Sequence, residues 1–520
     1  MIGTLTLISR VLGYVRDERI AYLLGTSLIA DSYVLAYRIP NLLRRLVAEG
    51  SMTASFVPVF AQYLTEKEKD DWKEFANRMF WTLTVILAAV TVLGLVFSPF
   101  LVKLLTFGGK RLNIDLAVLL NRIMWPYIFF VGLSALATAV LNSFRSFGVP
   151  AFAPVMFNVC VIALSFYAFR FRQPAVALAI GVTLGGLVQL AMQMPFLWRR
   201  GMRFQFGISF RHPGVRKVAK LMGPGLVGIG VAQINFLVDT MFANHPLMPN
   251  GSLMSLQIAD RVMELVLGGY AIAIATAILP LMSQQVAERN LFELRQTVSF
   301  SLRLVSFITI PAMVGLVVLR GPIIEVLFQH GRFNRQSTDL TAWALLFFAL
   351  GLPWFAATKI IVPAFYSTHD TRTPVKVAMG VMFANIAFNL LLLRPLLNGG
   401  PAAATSLAAL LNFSVLFWIF RRRHGLLGGR SILRSGAKVS AASAVMGLVC
   451  WAMLRISGFQ DLAGAIHHSL AWQVVALALM LAVAAGLFFG LAWLLDCEEL
   501  GEMYGIARRK PKTAELVSGG

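Results

Sequence analysis

The chain has 520 residues, of which 58% are hydrophobic and only 13% are charged, and its mean hydropathy is +0.73. Soluble proteins of this size usually carry about 25% charged residues, so the composition excludes a soluble fold and predicts an all-α polytopic membrane protein. The net charge of +22 lies mostly in short loops beside apolar segments. There it sets orientation and attracts membrane lipids, so no nucleic-acid partner is expected.

Apolar segments long enough to cross the ~30 Å hydrocarbon layer of a bilayer recur along the whole chain. They predict fourteen transmembrane helices. The predicted spans are 3–24, 28–63, 79–101, 116–141, 152–169, 175–198, 217–243, 254–286, 298–319, 339–366, 375–393, 401–420, 438–457 and 470–495. The first span is interrupted by R-D-E-R at 16–19, so an interfacial amphipathic helix is the alternative for that segment.

Loop charge predicts the orientation. Lys and Arg cluster in the loops that follow even-numbered spans, at 67–78, 199–220 and 421–438, and in the tail at 508–512, whereas the loop 244–253 has neither residue. Because basic loops stay on the cytoplasmic side, both termini are expected in the cytoplasm. That parity requires the first span to cross the membrane.

An internal repeat divides the chain. Matched residues recur at offsets of 222 to 224 positions. The pairs are Asp17 and Asp239, Arg38 and Arg261, Pro58 and Pro280, Gln62 and Gln284, Glu66 and Glu288, Asp115 and Asp339, Ser143 and Ser367, and Pro150 and Pro374. The repeat predicts two pseudo-symmetric six-helix lobes of the same orientation, 1–205 and 206–425, with two extra helices in 426–520. Facing lobes enclose a central cleft and alternate access by rocking.

Charged residues are concentrated between positions 9 and 49, within otherwise apolar helices. They are Arg10, Arg16, Asp17, Glu18, Arg19, Asp31, Arg38, Arg44, Arg45 and Glu49. Such groups cost roughly 2.5–3.5 kcal/mol each at membrane depth, so they normally face a bundle interior or a watery cavity. At seven-residue spacing Ser9 shares a helix face with Arg16, and Arg10 shares one with Asp17.

The second span adds a heptad series of Asp31, Arg38 and Arg45, with Asn41 and Glu49 beside it. Pro40 removes a backbone donor and is expected to kink or break this helix. The directions of the side chains beyond Pro40 are therefore not determined by helix periodicity, and either Arg44 or Arg45 faces the cavity.

In the eighth span, Asp260, Arg261 and Glu264 form a further charged cluster. Guanidinium forks match phosphate oxygens and stay charged at any relevant pH. Arg16, Arg44 and Arg261 are therefore predicted to bind an anion, with neighbouring acids holding them when the site is empty. The alternative is structural ion pairing between helices, and Arg19, Arg38 and Arg45 are equally suited to anchoring helix ends.

A second set of polar residues lies in the C-terminal half. It consists of Asp239, Asn385, Asn389 and Thr405, from three different spans. Oxygen ligands of this type suit a hard monovalent cation, and a buried hydrogen-bond network is the alternative.

Five segments carry a resemblance to a known family. They are S-R-V-L-G-Y-V-R-D, R-I-P-N-L-L-R-R-L-V-A-E-G, F-V-P-V-F-A-Q, A-D-R-V-M-E and F-Y-S-T-H-D-T-R-T-P-V-K. Over nearly the whole chain these motifs resemble the MurJ family of lipid II flippases, within the multidrug/oligosaccharidyl-lipid/polysaccharide (MOP) exporter superfamily. The resemblance implies a fourteen-helix fold with a V-shaped cavity. It also implies transport of the undecaprenyl-pyrophosphate-linked peptidoglycan precursor to the outer leaflet of the bacterial inner membrane.

The resemblance also implies roles for individual positions. The implied substrate-binding residues are Ser9, Arg10, Arg16, Asp17, Asp31, Asn41, Arg44, Glu49, Arg261 and Glu264. A sodium site found in some relatives maps to Asp239, Asn385, Asn389 and Thr405, where Asn389 replaces an acid. The last two spans are expected to form a groove for the lipid tail. We expect a functional monomer that contacts cell-wall synthesis proteins.

Other functions are weighed against this one. A flippase for another undecaprenyl-linked oligosaccharide would use the same anion chemistry. A drug or cation exporter of the same superfamily would need an apolar, acidic cavity with few arginines. The sequence contains no G-x-x-x-x-G-K-[ST], H-E-x-x-H or G-x-S-x-G motif, so an enzyme is not expected, while a scaffold for cell-wall synthases stays open as an additional role.

Overall fold

The computed structural model describes residues 2–48, 51–65, 71–106, 112–457 and 469–502. Glu49 and the basic tail at 508–512 lie outside these ranges. The described residues form seventeen α-helices and one 3₁₀ turn, Ala168–Arg170, without a β-strand. The helices are α1 (Ile2–Leu24), α2 (Leu28–Ala48), α3 (Ser51–Thr65), α4 (Asp71–Leu105), α5 (Ile114–Met124), α6 (Pro126–Ser143), α7 (Gly148–Phe166), α8 (Pro174–Ala191), α9 (Met194–Arg199), α10 (Pro213–Ala243), α11 (Ser252–Ala287), α12 (Leu291–Phe328), α13 (Arg335–Ser367), α14 (Arg372–Leu396), α15 (Gly399–His424), α16 (Gly429–Ile456) and α17 (Leu470–Leu494).

Each predicted span corresponds to one helix or to a consecutive pair, the pairs being α2 with α3, α5 with α6, and α8 with α9. Within the described residues, ten helical segments are long and apolar enough to cross a membrane, or eleven if a bent pair in α11 counts as one span. Helices α1 and α2 are not among the ten, because each carries several charged residues. The all-helical membrane fold is confirmed, and a total of fourteen spans is consistent with it.

The internal repeat extends to the helix boundaries. Helices α6 and α13 end at positions 224 residues apart, and α7 and α14 begin at positions 224 residues apart. The turns between these helices also match, since Arg145 and His369 both have left-handed backbone angles, with φ of 56° and 61°. Gly201 and Gly425 repeat the pattern after α9 and α15, with φ of 99° and 96°. Chain reversals in the two halves are therefore built in the same way.

Contacts divide the chain into two compact units. The first contains Met1–Ile258, Leu327–Thr341 and Asn389–Pro401, and the second contains Ala259–Val326, Ala342–Phe388 and Ala402–Gly520. These units are defined by packing, whereas the predicted lobes are defined by the repeat. The lobe boundaries at 205 and 425 stay a prediction.

In the first unit, α2 continues through Pro40 as one helix. Of the expected kink or break, the break is therefore wrong, and the kink stays a prediction. A proline cannot donate to the carbonyl four residues earlier, which here belongs to Ala36. Asn121 of α5 replaces that donor, since its Nδ2 donates to Ala36 O at 2.8 Å. Ser98 Oγ and Trp125 Nε1 donate in turn to Asn121 Oδ1, at 2.7 and 2.8 Å. One buried amide thus joins α2, α4 and α5.

In the second unit, polar contacts connect α12 with the two extra C-terminal helices, α16 and α17. At one end Arg303 pairs with Glu498 and with the buried Glu499, at 2.5 and 3.2 Å, and Ser435 Oγ donates to Glu499 at 2.8 Å. Hydrogen bonding and charge from Arg303 lower the pKa of Glu498 below its ordinary value. Towards the other end, Gln473 Nε2 donates to Glu325 at 2.9 Å.

Candidate anion-binding site

Arg16 is the most firmly held of the predicted anion-binding residues. Its Nε and Nη2 donate to the same oxygen of Asp17, at 2.9 and 2.6 Å. Its Nη1 donates to Asn158 Oδ1 on α7 at 3.1 Å, and Asn158 Nδ2 donates back to Ser9 O on α1 at 3.0 Å. The two charged side chains are only 17% and 14% exposed. The guanidinium is therefore oriented before any ligand arrives.

Asn158 was missed by sequence reasoning. It is a single buried asparagine in the apolar helix α7, and buried polar groups almost always have hydrogen-bond partners. That rule could have marked Asn158 as important, but nothing in the local pattern points to Arg16. The structure supplies the link, because α1 and α7 lie side by side.

Arg38 and Arg45 lie on the face of α2 that contacts α10. The guanidinium carbons lie 4.5 and 5.5 Å from the centre of the Phe236 ring. Arg38 Nη1 also donates to Thr240 Oγ1 at 2.6 Å. Cation–π contacts of this kind bind helices together, which agrees with the anchoring alternative for both arginines.

Arg44 has different surroundings from Arg45. Its Nε donates to Asn41 Oδ1 at 2.8 Å, one turn earlier on α2. Arg45 contacts the ring of Phe236 instead. The choice of Arg44 as the residue that binds a ligand stays a prediction.

Asp31 caps the N-terminus of α11. It is buried, and its carboxylate oxygens accept hydrogen bonds from the backbone N–H groups of Gly251 and Met254, at 2.8 and 3.0 Å. These donors lie at the N-terminus of α11, where a carboxylate satisfies unpaired N–H groups and favours the helix dipole. This capping contact explains the burial of Asp31, and its substrate role stays a prediction.

The remaining predicted residues of α1 and α2 are placed as follows. Arg10 is exposed on α1, one residue after the partly buried Ser9, and Asn41 is buried beneath Arg44. Glu49 lies outside the described residues.

In the second unit, Arg261 and Glu264 form an ion pair one turn apart on α11, with 3.3 Å between Nη1 and Oε2. Their side chains are 36% and 44% exposed. Exposed pairs of this kind add little stability. Asp260 precedes Arg261 and is partly buried.

Lys359 is a second residue that sequence reasoning missed. It lies in the apolar segment A-A-T-K-I-I-V-P of α13 and is partly buried. An ionisable residue inside a membrane-spanning helix is by default a functional candidate. A scan for isolated charges in apolar segments would have found it.

Two members of the predicted cation set meet in the first unit, where Asn389 Nδ2 donates to Asp239 Oδ1 at 3.0 Å. Asn385 is fully buried and Thr405 is partly buried, and both belong to the second unit. A single carboxylate with amide and hydroxyl oxygens fits a monovalent cation better than a divalent one. Within the described ranges, no three His, Cys, Asp or Glu residues cluster as metal ligands.

Sequence relatives agree with the motifs. A family model described as "Lipid II flippase MurJ" matches residues 20–494. A "Probable lipid II flippase MurJ" of Vibrio cholerae is 38% identical over 427 residues, which cover 80% of this chain and 81% of the relative. The "Lipid II flippase MurJ" of Burkholderia cenocepacia is 32% identical over 515 residues, 98% of either chain.

Solved structures agree with the fold. A structure described as "Lipid II flippase MurJ, inward closed conformation" has a TM-score of 0.76 and 25% identity, and the match covers 95% of this chain and 99% of the other. An inward-facing MATE-family multidrug transporter of the MOP superfamily has a TM-score of 0.67 over 80% of this chain and 94% of its own. At 14% identity, the second likeness shows the shared fold alone. The chain belongs to the MurJ family of lipid II flippases.

Proposed function

We propose that this chain is a transporter that moves lipid II from the inner to the outer leaflet of the bacterial plasma membrane by alternating access. Family membership over residues 20–494 supports the substrate. The observation that carries the chemistry is the guanidinium of Arg16, oriented by Asp17 and Asn158 inside an apolar helix bundle.

The pyrophosphate of such a substrate carries about two negative charges and cannot enter hydrocarbon without replacement of its hydration. A guanidinium has five N–H donors, and three of those on Arg16 are directed to Asp17 and Asn158. The other two N–H groups of Arg16 are suited to phosphate oxygens, which guanidinium groups bind through two parallel hydrogen bonds. Asp17 balances the charge of Arg16 before the anion binds.

Further residues extend this site in our proposal. Arg44 and Arg261 contact the pyrophosphate, because both are cationic and both lie in the motifs that resemble the MurJ family. The other family-motif positions complete the set. They are Ser9, Arg10, Asp31, Asn41, Glu49 and Glu264.

We place both termini in the cytoplasm, since the basic loops then lie inside. With that orientation an inside-negative membrane potential favours outward movement of the anion, by about 2.3 kcal/mol per charge per 100 mV. Helices α16 and α17 hold the lipid tail in this scheme. The chain performs transport rather than catalysis, acts as a monomer, and contacts cell-wall synthesis proteins.

A monovalent cation, sodium, is proposed at Asp239, Asn385, Asn389 and Thr405. It would supply a positive charge close to the Asp239 carboxylate. The contact between Asp239 and Asn389 supports the pairing of these two ligands. Asp239→Asn should abolish any sodium dependence of transport, and an unchanged dependence would contradict the site.

The function is tested by leaflet-resolved detection of lipid II in a bacterium whose own flippase is replaced by this protein. Cells carrying the wild type should expose lipid II in the outer leaflet and grow normally. Accumulation in the inner leaflet despite good expression and membrane insertion would refute the function.

A further inference from the structure

A polar cavity of about 650 Å³ lies at the beginning of α4, remote in sequence from the arginines of α1 and α2. One wall is the first turns of α4, with Asp71, Glu74 and Asn77, and the other is the extended segment that follows α9. This volume is typical of small-ligand sites. Nothing in the proposed transport of lipid II uses it.

The cavity carries both signs of charge. Lys73, Arg78 and Arg203 line it together with the carboxylates of Asp71 and Glu74. Arg78 Nε lies 3.4 Å from Glu74 Oε1, which is too long for a strong ion pair. The site therefore offers donors for an anion and acceptors for a cation within one cavity.

Asn77 gives the second, independent indication of a ligand. Its side chain is only 8% exposed, it lines the cavity, and its Oδ1 has no hydrogen-bond partner among the described residues. A buried acceptor without a donor costs free energy. Rotation of the Asn77 amide about its Cβ–Cγ bond would turn Oδ1 toward the cavity, where a ligand that brings an N–H group would remove that cost. Gly207 lets the backbone after α9 approach the Arg78 side chain closely, because a Cβ at position 207 would lie 2.4 Å from Arg78 Nη1.

The position of the cavity points to a lipid rather than a soluble ligand. The apolar part of α4 begins next to it. Phe206, which lines the cavity, and the nearby Trp198 are 75% and 72% exposed. Exposed aromatic side chains at the end of a spanning helix are typical of the headgroup level of the bilayer. Acyl chains of a bound lipid could pass beside these rings while its headgroup enters the cavity.

We propose that this cavity binds a phospholipid headgroup that combines a phosphate with a primary ammonium group, as in phosphatidylethanolamine. Arg78, Arg203 and Lys73 take the phosphate. Asp71 and Glu74 balance the charge of the ammonium group, which they do equally for a methylated one, and Asn77 Oδ1 accepts one of its N–H donors. A trimethylammonium headgroup has the same charge but no N–H donor, so the site distinguishes it from a primary amine.

A repeat-related cavity of about 620 Å³ supplies the control. It lies at the beginning of α12, beside the loop after α15, and is lined by Arg295, Gln296, Arg303 and Glu502 together with several apolar side chains. Gln296 is exposed, whereas Asn77 is buried. Gln296→Leu thus removes an amide from the repeat-related cavity without removing a buried acceptor.

The test is native mass spectrometry of the purified full-length protein, titrated with phosphatidylethanolamine, phosphatidylcholine or phosphatidylglycerol. The wild type should bind phosphatidylethanolamine about tenfold more tightly than phosphatidylcholine, the expected size for a charge-assisted hydrogen bond. Asn77→Leu should reduce that preference to less than about twofold, and Gln296→Leu should leave it unchanged. Arg203→Gln, at an exposed loop position, should weaken binding of both zwitterionic lipids without disturbing the fold.

Three results would overturn the proposal. The first is equal binding of phosphatidylethanolamine and phosphatidylcholine by the wild type. The second is binding of phosphatidylglycerol, which has no ammonium group, as tightly as phosphatidylethanolamine. The third is displacement of the lipid by an equal concentration of water-soluble phosphoethanolamine, which would assign the cavity to a soluble ligand.

Discussion

The two halves of the internal repeat place their polar side chains in different surroundings. In the N-terminal half, Arg16 and Asn121 are tied to neighbouring helices by hydrogen bonds in buried surroundings. In the C-terminal half, Arg261 is 36% exposed and pairs with Glu264, itself 44% exposed, one turn away on its own helix. The same backbone plan thus carries a buried arginine in one half and a partly exposed arginine in the other.

This difference affects how an anion would be bound. An oriented donor needs little ordering when its ligand arrives, whereas a partly exposed side chain loses rotamer freedom on binding. In the proposed site, the N-terminal arginine is therefore already oriented, whereas the C-terminal arginine would be ordered by the ligand. Substitutions in matched positions can separate these roles.

The largest effect is expected at the arginines themselves. Arg16→Ala and Arg261→Ala should each abolish complementation of a flippase-depleted strain, because removing a charged partner of a phosphate costs about tenfold to hundredfold in affinity. Arg16→Lys should restore little function, since an ammonium lacks the planar fork. Growth curves and membrane insertion are the measurements.

Arg422→Ala is the matched control, because Arg422 is an exposed arginine at the end of α15. It should grow as the wild type does. Normal growth of both the Arg16 and Arg261 alanine variants would end the anion-site model.

A smaller effect is expected at the residues that position these arginines. Asn158→Leu should lower the apparent affinity for lipid II about tenfold, because it removes the hydrogen bond that orients Arg16. Glu264→Gln should change it less than about twofold, because its pair is exposed. The measurements are lipid II titrations and melting temperatures of the purified variants. A loss of stability in Asn158→Leu without a change in affinity would show that Asn158 is only structural.

The next two variants, Asn121→Leu and Asn412→Leu, should differ in stability and not in affinity for lipid II. Asn121→Leu should lower the free energy of unfolding by about 2–3 kcal/mol, since three hydrogen bonds are lost in the buried core. Asn412→Leu on α15 is the counterpart, because Asn412 Oδ1 is buried without a hydrogen-bond partner in the described part of the chain. Replacing it should be neutral or slightly stabilising. Equal destabilisation of the two variants would contradict the contrast between the halves.

The smallest effect concerns the connectors before α7 and α14. Ser146 in the first half corresponds to Asp370 in the second. Partial burial acts to raise the pKa of Asp370, but hydrogen bonds from Thr373 and Arg423 outweigh it and lower that pKa below its ordinary value of 3.8.

A lowered pKa in the folded state means that the Asp370 carboxylate stabilises the fold above about pH 4 and loses this effect as the pH falls through the folded-state value. Asp370→Asn should therefore be less stable than the wild type at pH 7, by at most about 1 kcal/mol. The difference in melting temperature should vanish under more acidic conditions. A difference that grows towards low pH would contradict this assignment.

Much of this architecture could be predicted because hydropathy and charge are local properties. Every predicted span corresponds to a helix or a helix pair, and the repeat reappears in turn geometry at Arg145 and His369. The partners of the charged groups could not be predicted, since Arg16 and Asn158 are 142 positions apart. The sequence could not decide between Arg44 and Arg45 by geometry either, because the course of a helix beyond a proline is not a local property.

Pro40 and Asn121 also constrain how this sequence can change over evolutionary time. Losing the amide at 121 would leave Ala36 O without its present donor, whereas any residue other than proline at position 40 would offer that carbonyl a backbone N–H. The cost of losing the amide should therefore be smaller when position 40 is not proline. Drift at these two sites should proceed through paired substitutions, and a double-mutant cycle would measure their coupling as a non-additive free energy.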